Sequence, residues 1–512
     1  MDTTRARSTS QLREVWRFDG RHRVLHLTWG AFFVSFMVWF AYAPFSGTIE
    51  DQFGLSTAQT MTLGLCNIAL TVPARIFVGM ALDRWGPRRL YAAILIGAAV
   101  PNTVFALAQT YETLVISRLA LSVVGAGFVV GIRMVSEWFP PREMGMAEGI
   151  YGGWGNFGAA AAAFGLPLAA GLVGGSDGWR WAIGGIGVVA AVYGLVYLRA
   201  VEDTPAGVDF VRPRRQGALE VTHRRAVWGL AAVTVPISTV LLVIGWRMWR
   251  EGVIADPVLV AVIVGVLALL TTQQRAVFRV NRPALADTYP TEDRYPFRNV
   301  VVLCVAYLAT FGAELAVVTI LPGFFADTWN LGPVAAGAAA SGFAFMNIVA
   351  RPGGGLLSDL LGSRGRTLIY LCLATVGGFL LLASLGPSWP WVLAVAACMV
   401  CSFFVQAGAG AVFAVVPLVK KRVSGQIAGM AGAYGNVGAI VFLTVGLLTS
   451  TRVLFLVIAA AAALAAIAAR SLVEPEHSFS AELLTDESEI AVAAERPQPR
   501  LGPPVPVLAV EA

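Results

Sequence analysis

Apolar runs long enough to cross a bilayer recur almost end to end in this chain, and they fall into six, an interruption, and six. They cover 27–45, 58–80, 90–108, 113–135, 147–173 and 179–200, then 299–320, 333–357, 367–386, 390–415, 424–449 and 452–470. Roughly twenty helical residues span a hydrocarbon core about 30 Å thick. Inside that core a backbone must satisfy its own polar groups, so each run is expected as a helix. The expected fold class is all-α, a polytopic membrane protein of two six-helix bundles. Composition agrees: of 512 residues, 57% are hydrophobic and 13% charged, against about 25% charged in soluble domains, and the mean hydropathy is +0.70. A soluble enzyme, a nucleic-acid binder and a secreted scaffold are excluded.

The net charge of +6 is carried by arginine, since the only lysines are Lys420 and Lys421, and most of it lies in short loops beside the apolar runs. Arg84, Arg88 and Arg89 follow the second run, and Lys420, Lys421 and Arg422 follow the fourth run of the second half; 46–57 and 321–332 contain no basic residue. Positive-inside sorting then puts both termini in the cytoplasm, and the expected location is the inner (cytoplasmic) membrane. The interruption, 201–298, opens and closes on basic stretches and holds two further apolar runs, 226–246 and about 253–272. Basic flanks on the same side demand an even number of crossings, so fourteen spans are expected, or twelve if the insert does not cross. The expected division is a cytoplasmic segment 1–26, a bundle 27–200, the insert 201–298, a bundle 299–470 and a disordered tail 471–512 rich in Pro, Glu and Ser.

No chemistry of the catalytic kind is evident. Cys66, Cys304, Cys372, Cys398 and Cys401 all fall within apolar runs without metal-ligand spacing, and His22, His26, His223 and His477 lie outside the runs or at their edges. No metal, no cofactor and no enzymatic activity are expected.

Self-comparison carries more, because transporters built from related halves leave weak internal repeats. Arg75, Gly79, Asp83, Gly86 and Arg88 recur 276 positions later as Arg351, Gly355, Asp359, Gly362 and Arg364. Gly149, Gly155, Asn156 and Gly158 recur 280 positions later as Gly429, Gly435, Asn436 and Gly438. In the first repeat, Asp83 and Asp359 stand where their spans reach the cytoplasm, able to accept hydrogen bonds from a neighbouring helix N-terminus. The glycines allow close helix contact.

Arg75 lies eight residues before Asp83, about 12 Å along a helix, hence inside the membrane. Arg351 is its equivalent. Each costs roughly 2.5–3.5 kcal/mol to insert, and Glu314 is the one carboxylate singled out to pair with them; a single glutamate cannot neutralise both. Two planar, forked guanidiniums suit a small planar oxyanion held edge-on. In the second repeat, glycines at 152, 153, 155 and 158 and at 432, 435 and 438 clear one helical face, which serves helix packing or brings backbone close to a ligand. Asn156 and Asn436 would offer amide donors.

The first repeat, with Arg84 beside it, resembles the loop signature of the major facilitator superfamily, where it latches the two bundles during alternating access. GGWGNFG at 152–158 and GAYGNVG at 432–438 are similar to the signature of that superfamily's nitrate/nitrite porter family, and the intramembrane arginine pair corresponds to Arg75 and Arg351. YLATFGAEL at 307–315 and QAGAGAVFAVVPLVKKR at 406–422 resemble the family's seventh and tenth core spans. The likeness covers both halves but not the insert or the tail. It implies nitrate and nitrite as substrates, gripped by Arg75 and Arg351. Asn156 and Asn436 would add hydrogen bonds, Gly153, Gly155 and Gly435 would line the site, and Tyr307 and Phe311 would form aromatic walls. A monomer is the superfamily's default.

Nitrate stays ionised, and its entry opposes a negative-inside potential by about 2.3 kcal/mol per 100 mV. Uptake therefore needs a proton or an outgoing anion; family members resemble proton symporters or nitrate/nitrite exchangers. Glu314 either carries the proton or balances arginine charge. Rival readings are a nitrate sensor that moves nothing, against which the duplicated latch argues, and a porter of a bulkier anion, which would need a wider site.

Overall fold

The computed structural model describes residues 15–250, 252–290, 293–475 and 477–484, and among them every regular element is helical. The first half holds α1 (Gly20–Phe40), α2 (Thr57–Ala69), α3 (Thr71–Trp85), α4 (Pro87–Ala106), α5 (Tyr111–Leu121), α6 (Gly127–Trp138), α7 (Met144–Val173) and α8 (Gly178–Ala200). The insert holds α9 (Arg224–Arg250) and α10 (Asp256–Val280). The second half holds α11 (Phe297–Trp329), α12 (Pro333–Phe345), α13 (Asn347–Leu360), α14 (Arg364–Ser384), α15 (Trp391–Phe413), α16 (Ser424–Leu448) and α17 (Thr451–Ala469). Only helices of eleven residues or more are numbered.

Thirteen helical stretches among the described residues are long and apolar enough to cross a membrane, α9 and α10 included. The expected span 333–357 is instead two shorter pieces, α12 and α13, interrupted at Met346. The first half breaks at the matching place, Leu70, between α2 and α3. The duplication thus extends to a helix break that no side-chain motif announced. Gly86 and Gly362 both have positive φ, +82° and +62°, which explains why the repeat keeps glycine where the chain turns into α4 and α14.

Within the halves, α1 packs on α7, α4 on α8, α11 on α16 and α14 on α17. Between the halves the main contacts are α3 with α16 and α7 with α13. The insert leans on the same seam: α9 touches α16, α2, α3 and α11, and the Tyr434 hydroxyl of α16 donates to the Val233 carbonyl of α9 at 2.9 Å. Polar side chains fasten α10 to α9, Ser238 Oγ donating to Gln273 Oε1 at 2.6 Å and Gln274 Nε2 to Thr234 Oγ1 at 2.9 Å.

The loops that carry Gly86 and Gly362 lie on one end of the molecule, here the latch face. Disorder was expected from 471 onward, but residues 471–475 and 477–484 pack against this face. Glu474 accepts hydrogen bonds from the Arg364 and Gly365 amides at 2.9 and 3.2 Å, capping α14. Asn299 exchanges two hydrogen bonds with Val473. Arg364 donates to the Ser478 carbonyl, and the Arg142 amide to that of Ser480. The first amides of α14 need partners, and the tail supplies them through Glu474 despite its polar composition. Residues 485–512 lie outside the described residues.

The insert also returns to the latch face. Asp293, 1% exposed, receives Lys420 at 2.8 Å and Arg214 at 3.1 Å and is bonded to Arg422. Burial pushes its carboxyl up, but the hydrogen bonds from Arg422 and Lys420 outweigh that and hold it below the usual carboxylate range. Its stabilisation is therefore full at neutral pH and fades only as the pH falls through and below that range. Asp293→Asn is expected to cost about 3 kcal/mol at pH 7, the order found when one partner of a buried pair is removed. Thermal melts at neutral and strongly acidic pH check this: the gap between variant and wild type should close in acid.

Candidate anion site and paired latches

Four glycines explain how the halves approach so closely. A Cβ on Gly79 of α3 would stand 2.6 Å from the Gly425 carbonyl oxygen of α16, and one on Gly355 of α13 would strike the Gly145 carbonyl of α7. One turn further in, a Cβ on Gly149 would stand 2.6 Å from the Arg351 carbonyl oxygen, and Gly429 abuts that of Arg75. The two sequence repeats are therefore the two sides of one contact, made twice: the arginine helix of each half lies in the glycine face of the other half's helix.

The acidic residues close these contacts. Asp83 accepts from the Gly425 and Gln426 amides at 3.1 and 3.0 Å, and Asp359 from the Gly145 and Met146 amides at 3.0 and 2.8 Å. Each carboxylate sits on the first turn of a helix from the opposite half, where free N–H groups and the helix dipole favour an anion. The arginines beyond them differ. Arg364 bonds Asp359 and donates to the Pro141 carbonyl at 2.6 Å, whereas Arg88 donates to the Leu198 carbonyl at 2.8 Å and through its amide to Asp203 at 2.7 Å. Arg84 is exposed and stacks on Trp85. Both carboxylate contacts are made, so the two halves are joined at this face.

Above the latches the two central arginines converge on one ring. The guanidinium carbons of Arg75 and Arg351 lie 5.3 and 5.4 Å from the Phe311 centroid, and Arg75 also faces Phe128 at 5.6 Å. Both are buried, 0% and 1% exposed. Phe311 stacks on Tyr307 at 4.9 Å, and Phe128 stacks on Tyr307 at 6.2 Å. A Cβ on Gly435 would stand 2.7 Å from both Tyr307 and Phe311, so this glycine seats the aromatic pair. Gly155 does the same for Phe32, and Gly153 meets the Asn347 carbonyl and Pro352 on α13. The glycines that face the guanidiniums are Gly152, where a Cβ would stand 3.4 Å from Arg351 Nη1, and Gly432, where one would stand 3.2 Å from Arg75 Nη1.

The symmetry stops at the hydrogen bonds. Arg351 Nη2 pairs with Glu314 at 2.7 Å and its Nε with Asn347 Oδ1 at 2.9 Å, while Asn347 Nδ2 donates to Glu314 at 2.7 Å. Among the described residues Arg75 donates only from Nη1, to the Gly432 carbonyl at 2.5 Å, and its Nε and Nη2 have no hydrogen-bond partner. Those two atoms form the side-on fork that binds an oxyanion through parallel hydrogen bonds. The equivalent carbonyl in the first half, Gly152, is taken by Asn156 Nδ2 at 2.8 Å. Asn436, displaced from that role by Arg75, is 0% exposed with both amide atoms unpartnered. Two guanidiniums against one carboxylate leave a net positive charge in an apolar interior.

Intramembrane burial of arginine is not by itself a sign of such a site. Arg118 and Arg133 are buried too, but Arg118 donates to the Trp39 carbonyl at 2.8 Å, and Arg133 pairs with Glu137 at 2.7 Å and with Ser424. Arg75 is distinguished by its open fork. Sequence reasoning passed over four buried residues. Asn347 stands four residues before Arg351, a helical spacing that could have flagged it. Phe128 carries no local signal. Glu148 and Glu137 are buried carboxylates besides Glu314.

A profile described as Major Facilitator Superfamily matches residues 28–443. The chain is 47% identical over 463 residues to a nitrate/nitrite transporter of a Picosynechococcus species, covering 85% of this chain and 87% of the relative. It is 42% identical over 491 residues to one of Nostoc punctiforme, covering 94% and 98%. Among solved structures it is similar to the transporter FucP in its outward conformation, with TM-score 0.60 and 13% identity over 87% of this chain and 97% of that one. The proton:xylose symporter XylE gives 0.58 and 13%, covering 89% and 96%.

Proposed function

Because the chain belongs to the nitrate/nitrite porter family of the major facilitator superfamily, we propose that it carries nitrate, with nitrite as a second substrate, across the cytoplasmic membrane by alternating access. The observation that carries this reading is the open Nε/Nη2 fork of Arg75 beside a buried, unpartnered Asn436. Nitrate is planar and spreads one negative charge over three oxygens. One O–N–O edge matches the fork of Arg75, a further oxygen is within the chemistry of the Asn436 amide and Arg351 Nη1, and the ion's face lies against Phe311. Asn156, bonded to its own helix, and the Tyr307 hydroxyl complete the polar wall. One added negative charge cancels the excess positive charge of Arg75, Arg351 and Glu314, so binding removes an electrostatic penalty as it makes hydrogen bonds.

The two bundles, 27–200 and 299–470, act as the rocking bodies, the insert 201–298 flanks their seam, and the latch face is the cytoplasmic side, with both termini there. Closed latches correspond to a site presented to the outside. Uptake against a negative-inside potential is coupled to protons; exchange for nitrite is the alternative coupling. The test is labelled-nitrate uptake into proteoliposomes of the full chain, under an imposed pH gradient or with preloaded nitrite. Gradient-driven uptake supports symport, uptake that requires internal nitrite makes the protein an exchanger, and none under either condition removes the reading.

Glu314, hydrogen-bonded to both Arg351 and Asn347, serves here as the brace of Arg351. Glu314→Gln is expected to lower nitrate uptake about tenfold, by loosening a charge-assisted pair, while leaving its response to the pH gradient intact. Loss of that response with binding preserved would return the coupling role to Glu314.

A further inference from the structure

One buried carboxylate has no role in the site or the latches. Glu148 lies on α7, between the latch at Gly145 and the arginine contact at Gly152, and is 2% exposed. Both of its carboxylate oxygens are buried and make no hydrogen bond among the described residues. Four residues separate it from Gly152, so it stands on the same helical stripe one turn, about 6 Å, nearer the latch face. A Cβ on Gly152 would meet Arg351 Nη1 and Phe128, so Glu148 stands on the helix face that meets the anion site, one turn nearer the latch face.

The titratable and charged groups of the surrounding helices are engaged elsewhere. On α13, Arg351 is bound to Glu314 and Asn347, and Asp359 to the α7 amides and Arg364. On α6, Arg133 is bound to Glu137, which also receives Lys421. On α1, His26 bonds Val15 and Trp29, His22 meets Phe139 edge-on, and Arg21 pairs with Glu143 of the turn before α7 at 2.7 Å. On α8, Tyr193 and Tyr197 bond Leu27 and Thr28, and α15 brings Cys398, Cys401 and the amide of Gln406. On its own helix, Tyr151 donates to the Phe128 carbonyl. Among the described residues no cation is paired with Glu148.

We propose that Glu148 is the proton-binding site of this transporter, linked to the anion site one helix turn above it. An isolated carboxylate in an apolar interior has nothing to offset its desolvation and is accommodated by taking up a proton. The start of α7, one turn away, tempers the cost of the charged form, so both states are reachable, as a carrier requires. An ionised Glu148 would repel an anion held at Arg75 and Arg351; a protonated one does not. Nitrate and proton therefore favour each other's binding, and the linkage is reciprocal. The step moves one proton onto a Glu148 oxygen from the open side and releases it on the latch side, with no other bond changed.

This inference rests on the nitrate reading, and the test separates the two. Nitrate affinity of the full-length protein in detergent is measured by calorimetry across pH for wild type, Glu148→Gln and Glu148→Asp, with infrared difference spectra on adding nitrate. Wild type is expected to bind about tenfold more weakly in alkaline than in acidic buffer, from like-charge repulsion at this range. Glu148→Gln should bind independently of pH and lose the infrared band of a protonated carboxyl. Glu148→Asp should keep both features with a shifted midpoint, which guards against a glutamine variant that fails to fold. If wild type binds no nitrate at any pH, the functional reading falls and takes this one with it. If wild type binds nitrate and Glu148→Gln keeps the full pH dependence, Glu148 alone is overturned.

Discussion

Arg75→Lys is expected to weaken nitrate binding by about 10- to 100-fold without lowering the melting temperature appreciably. Arg75 makes one hydrogen bond, to the Gly432 carbonyl, and leaves its Nε/Nη2 edge open. Lysine restores the charge but not the fork, and one or two hydrogen bonds to a charged group are worth about 1.5–3 kcal/mol each, with 1.4 kcal/mol to a factor of ten. The charge itself is needed for neutrality of the site, which is why lysine rather than alanine isolates the geometric contribution. Arg351→Lys should behave differently. Its Nε and Nη2 hold Asn347 and Glu314, so that variant loses both affinity and stability, by about 3 kcal/mol for a disturbed buried pair. Calorimetric titration with nitrate and thermal melts of both variants decide the matter: equal effects on binding and on melting at the two positions would refute the division of labour.

Removing both latches is the second large effect. Asp83 and Asp359 together accept four backbone hydrogen bonds across the seam. At about 1.5 kcal/mol or more for each bond to a charged acceptor, their loss exceeds the roughly 5.5 kcal/mol that inverts a two-state equilibrium from 99:1 to 1:99. Asp83→Ala with Asp359→Ala should therefore open the latch face. Spin labels at Arg89 and Arg366, exposed residues on opposite bundles, should report a distance longer by several Å, and uptake should fall to near background because the cycle is trapped on one side. Either single variant should give a partial shift. An unchanged distance distribution in the double variant would deny the carboxylates a gating role.

Much of this protein was legible before any coordinates. A bilayer admits only helices or closed barrels, so runs of twenty apolar residues translate into helices with little ambiguity, and the outcome at α9 and α10 agrees with the two apolar runs of the insert. The repeats were legible because each half must make the same contact, which keeps Arg75 and Arg351, or Asp83 and Asp359, in step along the chain. Other features were not. Composition marked the tail as disordered, yet Glu474 caps α14 and Ser478 and Ser480 accept hydrogen bonds from Arg364 and Arg142; a polar segment is ordered when helix ends offer it unpaired groups. The sequence singled out Glu314, which does pair with Arg351, but it gave no sign of Glu148, whose isolation is a property of what surrounds it.

The sequence by itself determined the helices, the twofold plan and the residues that recur at the seam, Arg75 and Arg351, Asp83 and Asp359. These follow from local chemistry: hydropathy, spacing along one helix, and the cost of a charge in lipid. Only the tertiary structure decided that the two repeats are opposite sides of the same seam, that Gly432 takes Arg75 where Gly152 takes Asn156, and that one arginine is braced while the other is open. The reason is that lipid gives apolar helix faces no hydrophobic preference for one neighbour over another. Which faces meet is settled by small residues and hydrogen bonds between segments hundreds of residues apart, and a pattern read along one segment does not contain its partner.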